Sequence, residues 1–256
     1  MRTRTAGAIA LGAIALAACG RATAVRFPRI PAATPAASAA PPSQPAAVVR
    51  ACAVPTLIGT VTAANVTART APGPFAAKVA SFSKMNAQGA QQVFDLQETV
   101  TGLDGATWYR ALLPMRPNGT TGFIPVDAVA ITQTLYRLDV DRPRFRLTLW
   151  KGCRVVARFT IGFGKIGTPT PVGHFYLISL MKPPTPDSVY GAYAFGLSAY
   201  SDAIRDWRWG GVIGLHGTND PASIGKRISH GCIRMRNRDI ERLARILPLG
   251  TPITIR

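Results

Sequence analysis

From residue 55 onward the chain is written in short β-prone runs, each broken by turn residues within a few positions. Runs at 58–62, 65–68, 107–113 and 122–125 are separated by Asp104-Gly105 and Asn118-Gly119, the dipeptides that most favour tight reversals. In the second half the alternation is cleaner. Residues 144–150 (Arg-Phe-Arg-Leu-Thr-Leu-Trp) put Phe145, Leu147 and Leu149 on one face. Lys151-Gly152-Cys153 reads as a turn, 155–161 as the returning strand of a hairpin, and 174–180 and 252–255 as further strands. Helical spacing occurs once, late, at Ile240, Leu243, Ala244 and Leu247, with Asn237 placed to cap the start and Pro248 to stop it. A mainly β chain follows, with a small module expected at 55–131 and a larger one, ending in an α-helix, at 132–256.

What precedes residue 55 has a different character. Residues 1–5 carry Arg2 and Arg4, residues 6–18 are small and apolar, and Cys19 follows. This is the pattern of an export signal, too short to be a spanning helix. Leu16-Ala17-Ala18-Cys19 resembles the lipobox of bacterial lipoproteins, which implies a signal segment at 1–19 and a lipid on Cys19. The alternative is a plain signal cut further on, near residues 22–24. Residues 20–54 are rich in Ala and Pro without apolar period, the composition of an extended spacer.

The protein carries 30 Lys and Arg against 12 Asp and Glu, a net charge of +18. Most of the excess lies in 132–256, where nineteen bases meet eight acids for a net of +11. Such a surface calls for a polyanionic partner. The export signal places that partner in the cell envelope and argues against nucleic acid. With four cysteines in 256 residues the chain is no disulfide-dense scaffold, and no apolar run beyond the first twenty residues is long enough to cross a bilayer.

Two of the three histidines fall with a cysteine inside seventeen residues: His216-Gly217, then Ser229-His230-Gly231-Cys232. A thiol beside an imidazole supplies the nucleophile and the proton acceptor needed to attack an amide carbonyl. Gly217 and Gly231 leave the backbone open to a substrate, and the amides of Gly231 and Cys232 are candidate oxyanion donors. If residues 232–236 are extended, Cys232, Arg234 and Arg236 share one face and Ile233 and Met235 the other. Arg234 then stands beside the nucleophile, where it suits a substrate carboxylate, and Arg236 is a solvated charge. One cysteine and two histidines at this spacing do not make a zinc site, and no cofactor is implied.

Ile213-Gly214-Leu215-His216-Gly217-Thr218 with Ser229-His230-Gly231-Cys232-Ile233-Arg234-Met235 closely resembles the signature of bacterial L,D-transpeptidases. Gly167-Thr168-Pro169-Thr170-Pro171-Val172-Gly173-His174-Phe175 and the helix and strand at 237–255 extend the resemblance to roughly 120 residues. It implies a β-sandwich-type catalytic domain with Cys232 as nucleophile, His216 as proton acceptor and donor, and Ser229, His230, Gly231 and Gly217 shaping the site. It also implies the substrate: a peptidoglycan tetrapeptide stem whose terminal D-Ala is released, and whose third residue passes through a thioester into a 3,3 cross-link, with sensitivity to carbapenems. His230 is expected to orient its loop rather than to transfer the proton. His174, where the family more often has a small hydroxyl residue, is expected to be a strand-end side chain without chemistry. The aromatic stretch at 181–211 borders the cleft in related enzymes. Asn65-Val66-Thr67-Ala68-Arg69, Trp108-Tyr109-Arg110 and 119–125 resemble bacterial SH3-like domains, small β-barrels of wall-associated proteins.

Cys52 and Cys153 remain. Outside the cytoplasm a bond between them would close about a hundred residues, staple the two modules, and be worth up to roughly 4–5 kcal/mol. Two other enzymes would use the same residues differently, an L,D-carboxypeptidase that gives the acyl group to water and an enzyme attaching a protein to the wall. A reading of another class is a noncatalytic wall-binding lipoprotein with the small β-module as binder, against which Cys232 and His216 speak. The expected partners are thus stem peptides and, through the N-terminal lipid, a membrane.

Overall fold

The computed structural model describes residues 54–185, 187–207 and 210–256. The signal segment, the spacer, Cys19 and Cys52 lie outside the described residues. Seven strands, β1 (Thr56–Val61), β2 (Asn65–Arg69), β3 (Lys78–Ser83), β4 (Val93–Thr101), β5 (Thr107–Leu112), β6 (Thr121–Pro125) and β7 (Val129–Thr134), form one antiparallel sheet in the order β3-β2-β6-β5-β4-β1-β7. Its core gathers Val61, Val66, Phe94, Leu113 and Ile124, all at most 2% exposed. Gly105 and Gly119 take positive φ at the two expected reversals, where a side chain would be strained. The sheet runs on to Thr134, past the boundary expected at 131.

The second sheet is mixed, with order β10-β9-β8-β17-β12-β13-β14-β16. Its strands are β8 (Tyr136–Asp141), β9 (Arg146–Lys151), β10 (Arg154–Thr160), β12 (Gly173–Met181), β13 (Ala194–Tyr200), β14 (Val212–His216), β16 (Ile233–Arg234) and β17 (Pro252–Ile255). Two short segments, β11 (Phe163–Gly164) and β15 (Arg227–Ser229), pair in parallel beside it. The hairpin β9–β10 turns at Gly152 as expected, and Leu147 and Leu149 are fully buried. Phe145 departs from the expected strand: its φ is +50, so it lies in the reversal before β9 and reaches the core by stacking on Phe163 at 4.9 Å. Cys153, in the hairpin turn, takes part in a disulfide.

The helix α1 (Asn237–Ile246) buries Ile240 and Leu243 against the second sheet and ends one residue before Leu247, with Pro248 following. Its cap is not the expected one. Arg236 occupies the N-cap position with no side-chain hydrogen bond, because the Asn237 amide is committed elsewhere, as described below.

The two sheets belong to one compact unit and share an apolar core of their own. Ile58, Val93 and Leu112 from the first meet Tyr176 and Ile178 from the second, flanked by Val212 and Leu249. The fully buried Tyr176 hydroxyl donates to Leu112 O at 3.1 Å, which satisfies the one polar atom that would otherwise make its burial costly. At β12 a bulge near Ile178 frees its carbonyl from the ladder, and Asn86 Nδ2 of the first module donates to it at 2.8 Å.

Candidate active site

Cys232 and His216 are brought together by a parallel pair at the edge of the second sheet. β16 pairs with β14 so that Ile233 faces Leu215 and Arg234 faces His216. The fully buried Ile233 and Met235 plug into the core. Period-two alternation therefore leaves Cys232, Arg234 and Arg236 on the opposite face, as expected, with Arg236 exposed. Gly214 makes the meeting possible. A Cβ there would stand 3.3 Å from His216 Cδ2 and 3.5 Å from Cys232 Sγ, so the thiol and the imidazole edge occupy the room that a side chain would take. The Gly214 N–H points at the sulfur, 3.3 Å away.

The imidazole is held by its other nitrogen. His216 Nδ1 lies 2.5 Å from Gly217 O. A carbonyl only accepts, so Nδ1 carries the proton and Nε2, bonded to the Cδ2 that faces the sulfur side, is the bare acceptor. The Gly217 peptide is itself fixed: Gly217 N donates to Tyr193 O at 3.0 Å, and Asn237 Oδ1 accepts from Thr218 N at 2.9 Å and Ala192 N at 3.2 Å. A Cβ on Gly217 or Gly191 would collide with that Asn237 oxygen. Tyr190 stands edge-on to the His216 ring at 5.1 Å.

The nucleophile loop is buttressed from below. Ser229, 1% exposed, donates through Oγ to Cys232 O at 2.6 Å and accepts from Gly231 N at 3.2 Å. The Gly231 amide is therefore already committed, which leaves the Cys232 amide as the remaining oxyanion candidate of the expected pair. Gly231 has φ +119, a conformation a side chain would strain. The buried Thr170 donates to Gly231 O at 2.7 Å and accepts from Gly164 N at 2.9 Å, while Thr168 Oγ1 donates to Ser229 O at 3.1 Å. The Thr-Pro-Thr-Pro segment is thus a cradle for the loop. His230 is exposed, and its ring meets that of Trp207 at 5.5 Å. His174 sits in a cross-strand pair with Thr254, 3.1 Å from its hydroxyl.

Burial dominates the electrostatics. It lowers the His216 pKa from 6.5 to about 4, against a smaller upward pull from the Gly217 carbonyl, with the Arg234 charge adding to the fall. Burial also raises the Cys232 thiol above its ordinary value, opposed by the Gly214 N–H and the Arg234 charge. The resting pair is a neutral thiol beside a neutral imidazole. Arg234 is partly exposed, and its guanidinium lies 3.8 Å from the half-exposed Asp220 carboxylate. So loose an ion pair contributes little to stability and leaves the guanidinium open to another carboxylate.

The sulfur opens onto a cavity of about 220 Å³ walled by Met181, Tyr190, Phe195, Trp207 and Val212, with Gln88 contributed by the first module. The aromatic stretch at 181–211 therefore divides between two tasks: β13 crosses the sheet, and Tyr190 and Trp207 border the cleft. Sequence reasoning missed Gly214, Thr170 and the Asn237 side chain as parts of the site. Thr170 and Asn237 act through main-chain atoms of residues distant in sequence, and Gly214 by leaving room for the Cys232 and His216 side chains, relations no local pattern displays.

A cysteine paired with a main-chain-oriented histidine at the mouth of a cleft is an arrangement that suits thiol chemistry. Residues 135–255 match the family model of the YkuD L,D-transpeptidase catalytic domain. The chain is 42% identical over 120 residues to the putative L,D-transpeptidase YkuD of Bacillus subtilis, covering 47% of this chain and 65% of that one. It is 29% identical over 162 residues to the probable L,D-transpeptidase YbiS of Escherichia coli, covering 53% and 49%. Among solved structures, the catalytic domain of the E. faecium L,D-transpeptidase is 25% identical, covering 47% of this chain and 96% of that one, with a TM-score of 0.35. The chain thus spans less than two thirds of the length of these two curated relatives.

Proposed function

We propose that the protein is a peptidoglycan L,D-transpeptidase that forms 3,3 cross-links through an acyl-enzyme on Cys232. The observation that carries this reading is the shared approach of Cys232 Sγ and the His216 ring to Gly214, with Nδ1 held by Gly217 O. His216 Nε2 takes the thiol proton as Sγ attacks the carbonyl of the stem's third residue. The tetrahedral oxyanion forms near the Cys232 amide. Collapse breaks the bond to the terminal D-Ala, whose amine leaves with the proton from His216. The thioester retains the energy of the broken amide, so no nucleotide is needed when the side-chain amine of a neighbouring stem attacks, loses its proton to His216 and releases Sγ. Arg234, on the same face as the sulfur, takes a stem carboxylate in place of Asp220. The likeness of residues 135–255 to L,D-transpeptidase catalytic domains supports the substrate class.

The same reading places the chain in the cell envelope, lipidated on Cys19, with an SH3-like module at 55–131 and Cys52 bonded to Cys153. Purified residues 20–256 incubated with defined tetrapeptide stems should yield a dimer lighter than two stems by one D-Ala, absent with Cys232→Ala. Tripeptide alone would make the enzyme an L,D-carboxypeptidase. No Cys232-dependent product from folded protein would overturn the reading.

A further inference from the structure

One guanidinium of the first module gathers three carbonyls of the second. Arg116, in the connection between β5 and β6, donates from Nη1 to Gly210 O at 2.7 Å and from Nη2 to Ser201 O at 2.7 Å and Ile204 O at 3.3 Å. Its plane lies over the Tyr200 ring, 4.8 Å from the centroid. Two residues on, Asn118 pairs with the Tyr200 main chain in both directions, each bond 2.8 Å. Among the described residues no carboxylate forms a salt bridge with Arg116. Its charge is therefore directed to carbonyls, in charge-assisted bonds that a planar fork can serve several at a time.

Those carbonyls belong to the excursion that leaves β13 at Tyr200 and rejoins β14 at Val212. Its base is pinched by Ser201 N donating to Gly211 O at 2.8 Å, and Ser201 Oγ accepts from Ala203 N and Ile204 N. Between the clamped points stands Trp207, which walls the cavity with Cys232 and meets His230. Half of Trp207 is exposed (48%), so its own packing holds it weakly. Arg116 ties carbonyls near both ends of the excursion to the first module, alongside Asn118 at Tyr200 and the Ser201–Gly211 pinch.

We propose that Arg116 is a positioning residue: it holds the Trp207 segment beside the thiol and so controls what reaches Cys232, excluding water from the acyl-enzyme while an amine is awaited. The exclusion of water rests on the transpeptidase reading; the control of access to the thiol does not.

Alkylation of Cys232 by iodoacetamide in the full chain, followed by peptide mass, tests the access directly. Arg116→Ala and Trp207→Ala should each speed it about tenfold, the factor for losing about one charge-assisted hydrogen bond's worth of ordering. The double variant should be no faster than Trp207→Ala. Arg116→Lys, a point charge, should stay close to the Ala value. Arg116→Met keeps the stem over Tyr200 and loses all three donors, so it serves if Arg116→Ala does not fold. Unchanged alkylation in a folded variant would overturn the proposal. So would an Arg116 effect that persists undiminished on the Trp207→Ala background, since it would then be a general loosening. With tetrapeptide stems, Arg116→Met should shift product from dimer toward tripeptide by a similar factor, and an unchanged ratio would overturn the water-exclusion role. If the unsubstituted chain makes neither product while the alkylation results hold, the transpeptidase reading fails and the control of access stands.

Discussion

Acidification should destabilise the fold through His216, and the size of the effect follows from its burial. The side chain is 4% exposed, and its pKa falls from 6.5 to about 4 on folding. Between those values the unfolded chain binds a proton that the folded chain refuses. The contribution of the neutral buried ring is therefore complete above pH 6.5 and is lost progressively as pH falls toward 4. At about 1.4 kcal/mol per pH unit, the loss is roughly 2 kcal/mol at pH 5 and about 3 kcal/mol near pH 4. A raw stability curve would hide part of this, because burial raises the Asp95 pKa from 3.8 to about 6. That carboxyl binds its proton more readily when folded, so it adds stability as pH falls through 6, by about 1 kcal/mol at pH 5. The assay is therefore a difference: urea unfolding at pH 7 and pH 5 for the protein and for His216→Gln, in which Asp95 cancels. The protein should lose about 2 kcal/mol more than the variant between the two pH values. Parallel pH curves would refute the account of His216 as a buried neutral base.

The same lowered pKa sets the acid limb of kcat/KM for stem turnover well below the ordinary histidine range, toward pH 4, and a limb near 6.5 in a pH–rate profile would contradict it. Asn237→Ala leaves the amides of Thr218 and Ala192 without their acceptor and frees the Gly217 carbonyl that orients His216. It should cost about 2–4 kcal/mol in urea unfolding and lower kcat more than it raises KM. Thr170→Val removes the donor to Gly231 O and the acceptor of Gly164 N. A loss of about 2 kcal/mol is expected, with Cys232 alkylation altered in the folded variant. Gly214→Ala inserts a methyl between the sulfur and the imidazole. The fold should survive, since the nearest atoms are side-chain tips, while acylation by stem or carbapenem, read by intact mass, falls by about a hundredfold.

The parts of the fold that are legible in the sequence are those in which one local period decides the outcome. The β9–β10 hairpin, β17 and α1 announce themselves because the apolar positions recur at the period of the element, and β12 because Phe175-Tyr176-Leu177-Ile178 is a continuous apolar run buried on both faces. β13 does not: Ala194-Phe195-Gly196-Leu197-Ser198-Ala199-Tyr200 lies between β12 and β14 and is covered on both faces, which erases alternation. β4 carries the alternation Phe94-Asp95-Leu96-Gln97 with Phe94 and Leu96 buried, but it fades into the polar, largely exposed stretch 97–101. Phe145 continues the alternation of β9 in sequence yet turns left-handed, since the Asp141 carboxylate accepts from Arg144 N and closes a tight reversal there. At the candidate site, the pairing of Cys232 with His216 is legible because both are rare residue types in a tight spacing. Asn237 was read as a helix cap, the task its residue type favours at that position. A tertiary demand, the two amides beside Gly217, outbids the cap. The cleft contribution of Gln88 and the clamp by Arg116 were invisible, because they depend on how one module packs on the other.

The measurement that bears most directly on the account is intact mass of the full chain after brief exposure to a tetrapeptide stem at neutral pH. A single adduct equal to the stem less one D-Ala, mapped to Cys232 and absent from Cys232→Ala, is the predicted result. Folded protein that consumes the stem with no adduct on Cys232, or with undiminished turnover in Cys232→Ala, would contradict it.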